Sequence, residues 1–357
     1  MGSPARPRLT PQCSSLKGFN INSLRAIVRP SRTALLAAGL ALVGLGGVLA
    51  VSGATDGGPA QPRVPCASAA DATLADTLGG VGARIYDSEH ARNGSAAVAI
   101  RSVTSSSALA RAVAAGDPVA ARAAVTSIVF NHLHIVRLRV IHDGRVLSDV
   151  GGPFVLAPIS GEIRLHGRLV GRYVLSIQDD VGYVKLAGRL AGLQVVMRSG
   201  GRQVMSSLSP APVHIPPHGT LTFGGVSYVT HTINGVAFPS GPLHIYLLAR
   251  RPSPPFTSRI CFQIKVAALG KVGVYVSRRF VLSNGSYGSY ISVTQGLTHA
   301  LVFVRDGSRQ LAGSVRLAPA LLPDSGTVRF RGLSYGVISF PAHAAGGHPI
   351  RITLLVR

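Results

Sequence analysis

Acidic residues are scarce: 13 Asp and Glu face 36 Lys and Arg in 357 residues, for a formal net charge of +23. An excess of that size raises nucleic acid as a partner, and its distribution argues against it. The basic residues are spread along the chain rather than clustered, and 32 of the 36 are Arg, a bias that a GC-rich genome produces. Six of them precede the first long apolar run, which leaves +17 beyond it. A diffuse positive field of this kind suits a small anionic ligand or an anionic envelope polymer.

Cysteine is nearly missing. Of the three, Cys13 belongs to the basic leader, and Cys66 and Cys261 remain for the rest of the chain. They permit one disulfide in an oxidising compartment, or stand as two separate buried thiols. A second long apolar run is missing altogether. From Ala34 to Val51 every residue is Ala, Leu, Val or Gly, enough helix for a bilayer core of about 30 Å. Residues 1–33 hold Arg6, Arg8, Lys17, Arg25, Arg29 and Arg32 and no acid, which keeps them cytoplasmic and sends the following chain outward. Residues 34–54 are thus a transmembrane anchor or a signal segment. Ser52-Gly53-Ala54 has the small side chains of a cleavage site, so the alternatives are a single-pass membrane protein and a chain secreted after Ala54.

Catalytic constellations are also missing, so no enzyme, cofactor or metal is expected. Gly332-Leu-Ser334-Tyr-Gly336 formally fits a hydrolase elbow, but it lies between two strand-like runs and no acid follows Ser334. Asp179-Asp180 sits where a turn and helix cap are needed. His132 and His134 have no nearby Cys or carboxylate to complete a metal site.

What is present is an internal duplication. Residues 171–250 and 278–357 align without a gap at an offset of 107. Val174-Leu-Ser176 matches Val281-Leu-Ser283, Tyr183 matches Tyr290, Arg198 matches Arg305, and Arg250 matches Arg357. A fainter match joins the heads: Cys66 precedes Leu78-Gly-Gly-Val-Gly82, and Cys261 precedes Leu269-Gly-Lys-Val-Gly273. One unit therefore spans 66–250, and 261–357 is a shortened copy lacking a counterpart to roughly 83–170.

Residues 67–90 and 96–114 are Ala-rich with helical spacing, and Asp117-Pro118 opens a further helix carrying Val125, Ile128, Val129 and His132 on one stripe. Strands follow over 134–141 and 145–150, joined by Asp143-Gly144, and again over 171–177. A short helix over 181–190, capped by Asp180, leads to hairpins at Gly200-Gly201 and Gly224-Gly225 and a last strand over 243–250. Helices followed by antiparallel strands predict an α+β fold.

The run His132-Leu-His134-Ile-Val-Arg-Leu-Arg-Val140, the hairpin Asp143-Gly144-Arg-Val-Leu-Ser-Asp149 and the strand Gly171-Arg-Tyr-Val-Leu-Ser-Ile177 resemble an extracytoplasmic Cache (PAS-like) sensor domain. The resemblance covers about 66–190. It implies antiparallel PAS-like sheets and a pocket for a carboxylate or amino acid on one sheet face. Within it, Arg137 and Arg139 share a strand face and suit a carboxylate, beside His132, His134, Tyr173, Gln178 and Lys185. With one membrane crossing, a signal would need a separate membrane partner. The competing expectation is a structural or adhesive envelope protein holding anionic cell-wall polymer.

Overall fold

The computed structural model describes residues 66–90, 94–131, 135–239, 241–252, 261–316 and 322–357. The segments 1–33 and 34–54, and with them Cys13, His132 and His134, lie outside the described residues. Among the described residues no helix is long and apolar enough to cross a membrane.

The chain opens with α1 (Cys66–His90), an Ala-rich helix whose Leu74, Leu78, Val81 and Ile85 are buried. Then come α2 (Gly94–Thr104), α3 (Ser107–Ala114) and α4 (Pro118–Asn131). The expected single helix over 96–114 is broken, because Ser106 adopts an extended conformation and its hydroxyl accepts from the Leu109 N–H as a cap. The start of α4 follows the expectation: Asp117 Oδ1 accepts from the N–H groups of Val119 and Ala120 at 2.9 and 3.0 Å, ahead of Pro118.

Helices α2–α4 cover a four-stranded antiparallel sheet of β1 (Arg137–His142), β2 (Arg145–Gly151), β4 (Ile159–Leu165) and β5 (Arg168–Ser176), in the order β2-β1-β5-β4. Leu138, Val140, Ile163, Tyr173 and Leu175 point to the helices and form a core of their own with Leu109, Val113 and Val125. Full burial contributes roughly 1.5–3 kcal/mol per large aliphatic side chain, so this module has independent cohesion. Strand β4 is not legible in the sequence: its hairpin turn is His166-Gly167, both at positive φ, rather than an Asn-Gly or Asp-Gly pair. The two-residue strands β3 (Val155–Leu156) and β6 (Gln178–Asp179) pair with each other, and β3 continues onto Ala237 and Phe238 of the next sheet.

That sheet follows α5 (Asp180–Ala191) and contains β7 (Leu193–Ser199), β8 (Arg202–Ser206), β9 (His218–Phe223), β10 (Val226–Phe238) and β11 (Gly241–Arg250). The cap of α5 is Asp179, one residue before the expected Asp180; its Oδ1 accepts from the Gly182 N–H at 2.6 Å. The third sheet follows α6 (Cys261–Ser277) and α7 (Tyr287–Thr298). It holds β12 (Leu301–Asp306), β13 (Arg309–Gly313), β14 (Ser325–Phe330), β15 (Leu333–His343) and β16 (Pro349–Val356).

The last two sheets are the duplication in three dimensions. Their strand orders are β8-β7-β11-β10-β9 and β13-β12-β16-β15-β14, and β8 and β13 begin 107 residues apart at Arg202 and Arg309. A bulge falls between Met197 and Arg198 in one and between Val304 and Arg305 in the other. The first sheet, β2-β1-β5-β4, repeats that order without its third member, so the segment the second copy lacks is itself a sheet of the same type. The architecture is α+β with antiparallel, PAS-like sheets, as expected.

The head helices α1 and α6 pack on each other, and one continuous core spans both copies, from Leu78, Val81 and Tyr183 to Leu269, Val272 and Tyr290. Close packing of each helix on its sheet needs glycine. A Cβ on Gly79 would collide with His231 and one on Gly82 with Leu247; in the second copy Gly270 meets Ile338 and Gly273 meets Leu354. The faint match between the heads therefore marks the residues where helix and sheet approach most closely.

Candidate functional site

The residues expected to form a pocket are dispersed. Arg137 Nε and Nη2 donate to both carboxylate oxygens of Asp149 at 2.8 Å, and Arg139 Nη2 donates to Oδ2 at 2.7 Å. Both guanidiniums stack on the Phe238 ring, at 5.2 and 4.5 Å from its centroid. Burial would raise the Asp149 carboxyl; the two guanidiniums outweigh that and hold it below the usual carboxylate range. The arginine pair thus clamps β1 to β2 and to the end of β10. Tyr173, 1% exposed, points to the opposite face, into the helix-covered core. Gln178 is buried at the β6–α5 corner, where its Nε2 donates to the Asp179 carbonyl oxygen, and Lys185 is exposed on α5. These residues do not converge, because alternation along β1 and β5 sends Arg139 and Tyr173 to opposite faces. His132 and His134 lie outside the described residues. Ser334 is the second residue of β15, directly after the Arg331-Gly332 hairpin turn, and no helix follows it there. Cys261 is disulfide-bonded, while the side chain of Cys66 lies outside the described residues.

A different set of side chains does converge, where the two copies meet. A cleft of about 590 Å³ is lined by Thr73, Asp76, Thr77, Gly80 and Arg84 of α1, Lys265 and Leu269 of α6, Thr298 and His299 at the end of α7, and Arg357. Arg84 is anchored by its Nε, which donates to the Leu297 carbonyl oxygen at 2.7 Å. A Cβ on Gly80 would lie 3.3 Å from Arg84 Nη1, so glycine lets the guanidinium lie along the helix. Burial lowers the pKa of Arg84, opposed by Asp87. Lys265 Nζ donates to the Arg357 main-chain oxygen at 2.6 Å. Arg84, Lys265 and Arg357 thus line the cleft, and Asp76 is the one acidic residue among its lining residues.

His299 lies in this field. It is the C-cap of α7 at φ 55°, a left-handed position that the first copy fills with Gly192 at φ 68°. Holding a side chain there costs on the order of 1 kcal/mol and is common at functional sites. Desolvation lowers the pKa of its imidazole, and the nearby Arg84 and Lys265 charges lower it further. The duplication provides an internal comparison. The equivalent cleft of the first copy is about 360 Å³, and there Tyr275 stands where Arg84 stands and packs over Gly192. Both clefts are lined by cations, the twin by Arg250, Arg251 and Lys271, but the twin is smaller and is narrowed by the Tyr275 ring. Neither Arg84 nor His299 stands out in the sequence, and the usable signal was their departure from Tyr275 and Gly192 in the aligned copies.

No protein-family model and no curated protein matches the chain. Solved structures similar to it include the periplasmic domain of Vibrio cholerae LuxQ, at 11% identity over 51% of this chain and 99% of that one, with a TM-score of 0.31. Another is an extracellular ligand binding receptor from Desulfohalobium retbaense DSM5692, at 11% identity, 49% coverage and a TM-score of 0.27; the match spans 39% of the receptor. Likenesses at this level assign neither a ligand nor an activity.

Proposed function

We propose that the chain is an extracytoplasmic, sensor-like protein that binds a small anionic ligand, a carboxylate or amino acid, in the cleft between its two copies. In this reading residues 34–54 tether it to the membrane, the chain does no catalysis, and a separate membrane protein carries the signal onward. The observation that carries the proposal is the convergence of Arg84, Lys265 and Arg357 around His299 in a cleft of about 590 Å³. Guanidinium and ammonium groups half removed from water bind a carboxylate far more strongly than surface charges do. Arg137 and Arg139, already satisfied by Asp149, serve as a structural clamp.

The test is thermal-shift screening of the full chain in detergent with di- and tricarboxylates, phosphate and acidic amino acids. A ligand at 100 times its Kd stabilises by about 2.7 kcal/mol, which a melting curve resolves. The expected hit is lost in the double variant Arg84→Gln/Lys265→Ala. Absence of any hit, or a hit untouched by the double variant, overturns the cleft assignment. Salt-sensitive retention on cell walls without a saturable small ligand would instead favour an envelope protein holding anionic polymer.

A further inference from the structure

The geometry points to a divalent transition-metal site formed by Asp76, His218 and His231. His218 and His231 are direct cross-strand partners of β9 and β10, and their rings meet edge to face with centroids 5.0 Å apart. Asp76, on α1, brings its Oδ1 to 3.2 Å from His231 Nδ1. One donor atom from each residue lies within 4.8 Å of the other two. Two imidazoles and a carboxylate are the donor set of zinc and its neighbours, with a fourth position left for water. Tetrahedral donors at about 2.0–2.1 Å from zinc stand roughly 3.3 Å apart. Asp76 and His218 are exposed and free to rotate by the remaining distance, while the His231 ring is seated against Gly79.

The strand register already places His218 beside His231, so the second copy is the comparison that separates a metal site from an Asp76–His231 ion pair with a neighbouring histidine. At the three equivalent positions it carries Ala267, Ser325 and Ile338, so all the donors are replaced together. The same place between α6 and the β14–β15 hairpin is there a largely apolar cavity of about 610 Å³, lined also by Phe262 and Val266. Polar donors gather only where the full set is present. A bound ion would join the end of β9 to α1, fixing an exposed edge strand. Asp76 also borders the cationic cleft, but the site needs no ligand in that cleft, and His218 does not line it.

The test uses the full chain, stripped with chelator and titrated with Zn²⁺ by calorimetry, with Co²⁺ absorption as a coordination readout. The expected result is one equivalent bound, a rise in melting temperature with Zn²⁺, and a visible Co²⁺ spectrum of low coordination number. His218→Ala and Asp76→Asn should each weaken binding by at least about tenfold, as loss of a ligand must if outer-shell changes cost 10–100-fold. His166→Ala, at an exposed histidine in a remote hairpin turn, should leave the affinity and stoichiometry for Zn²⁺ unaltered. Since His231 contacts Gly79 and its variant is prone to misfold, His218→Ala is decisive: its melting temperature in chelator should equal that of the unsubstituted protein. Stoichiometry below one, or Zn²⁺ binding unaltered in His218→Ala, overturns the site.

Discussion

The hydroxyl of Tyr183 donates to the carbonyl oxygen of Gly82 at 3.0 Å, joining the start of α5 to the head helix 101 residues earlier. The second copy repeats the bond between Tyr290 and Gly273 at 3.3 Å. Gly82 and Gly273 are also among the glycines at which each helix meets its sheet, so the phenol adds a hydrogen bond in a tightly packed part of the core. Burial raises both phenol pKa values well above the ordinary one and keeps the donors protonated.

Removing either hydroxyl deletes one buried hydrogen bond, while the carbonyl oxygen keeps its partner within the helix. Tyr183→Phe and Tyr290→Phe should each destabilise the fold by about 0.5–1.5 kcal/mol, read as a lower denaturation midpoint at unchanged m-value. A neutral result for both would mean that the helix–sheet register is held by packing alone.

Asp149 should make stability acid-sensitive. Its folded pKa is depressed, so the stabilisation is present above the unfolded value of about 3.9 and is lost as pH falls through the folded one. Asp149→Asn should cost about 1–3 kcal/mol at neutral pH and flatten the loss of stability below about pH 4. Equal acid slopes for the two proteins would refute this role.

His299 provides the reverse test, of the cleft. Its folded pKa is lowered below the ordinary value of about 6.5, so its contribution to stability is present above that pH and is lost as pH falls through the folded pKa. A bound anion offsets the Arg84 and Lys265 charges and should move the His299 titration upward in an NMR pH series. Anion affinity should then increase as pH falls, and His299→Asn, which also tolerates a left-handed backbone, should remove that dependence. An imidazole titration indifferent to anion would place the ligand elsewhere.

The disulfide of Cys261 is expected to join Cys66, because these cysteines begin α6 and α1, the two head helices that pack together. Peptide mapping without reductant should recover the linked pair, and Cys261→Ser should lose about 2–5 kcal/mol of stability. A linkage to Cys13 would contradict the assignment of residues 1–33 to the cytoplasm.

Much of the architecture was readable along the chain. Asp117-Pro118 starts α4 because a carboxylate beside a residue without an N–H suits a helix entrance, whatever surrounds it. Asp143-Gly144, Gly200-Gly201 and Gly224-Gly225 are hairpin turns because they supply positive φ locally. The β4–β5 hairpin escaped notice because His166 takes a conformation its residue type does not announce. The partners of the arginine pair were hidden for a related reason: Arg137 and Arg139 show their shared face by alternation, but not that Asp149 and Phe238 already engage it.

Local residue types and the gapless repeat thus determined the α+β class and the two-copy plan, since each depends on backbone conformation or on comparison of one segment with another. Only the tertiary structure decided where function could reside. Asp76, His218 and His231 come from separate elements, and Arg84, Lys265 and His299 span both copies; such residues meet only when α1 packs against α6 and the sheets. No sequence spacing encodes that packing, because it is set by which buried surfaces fit together.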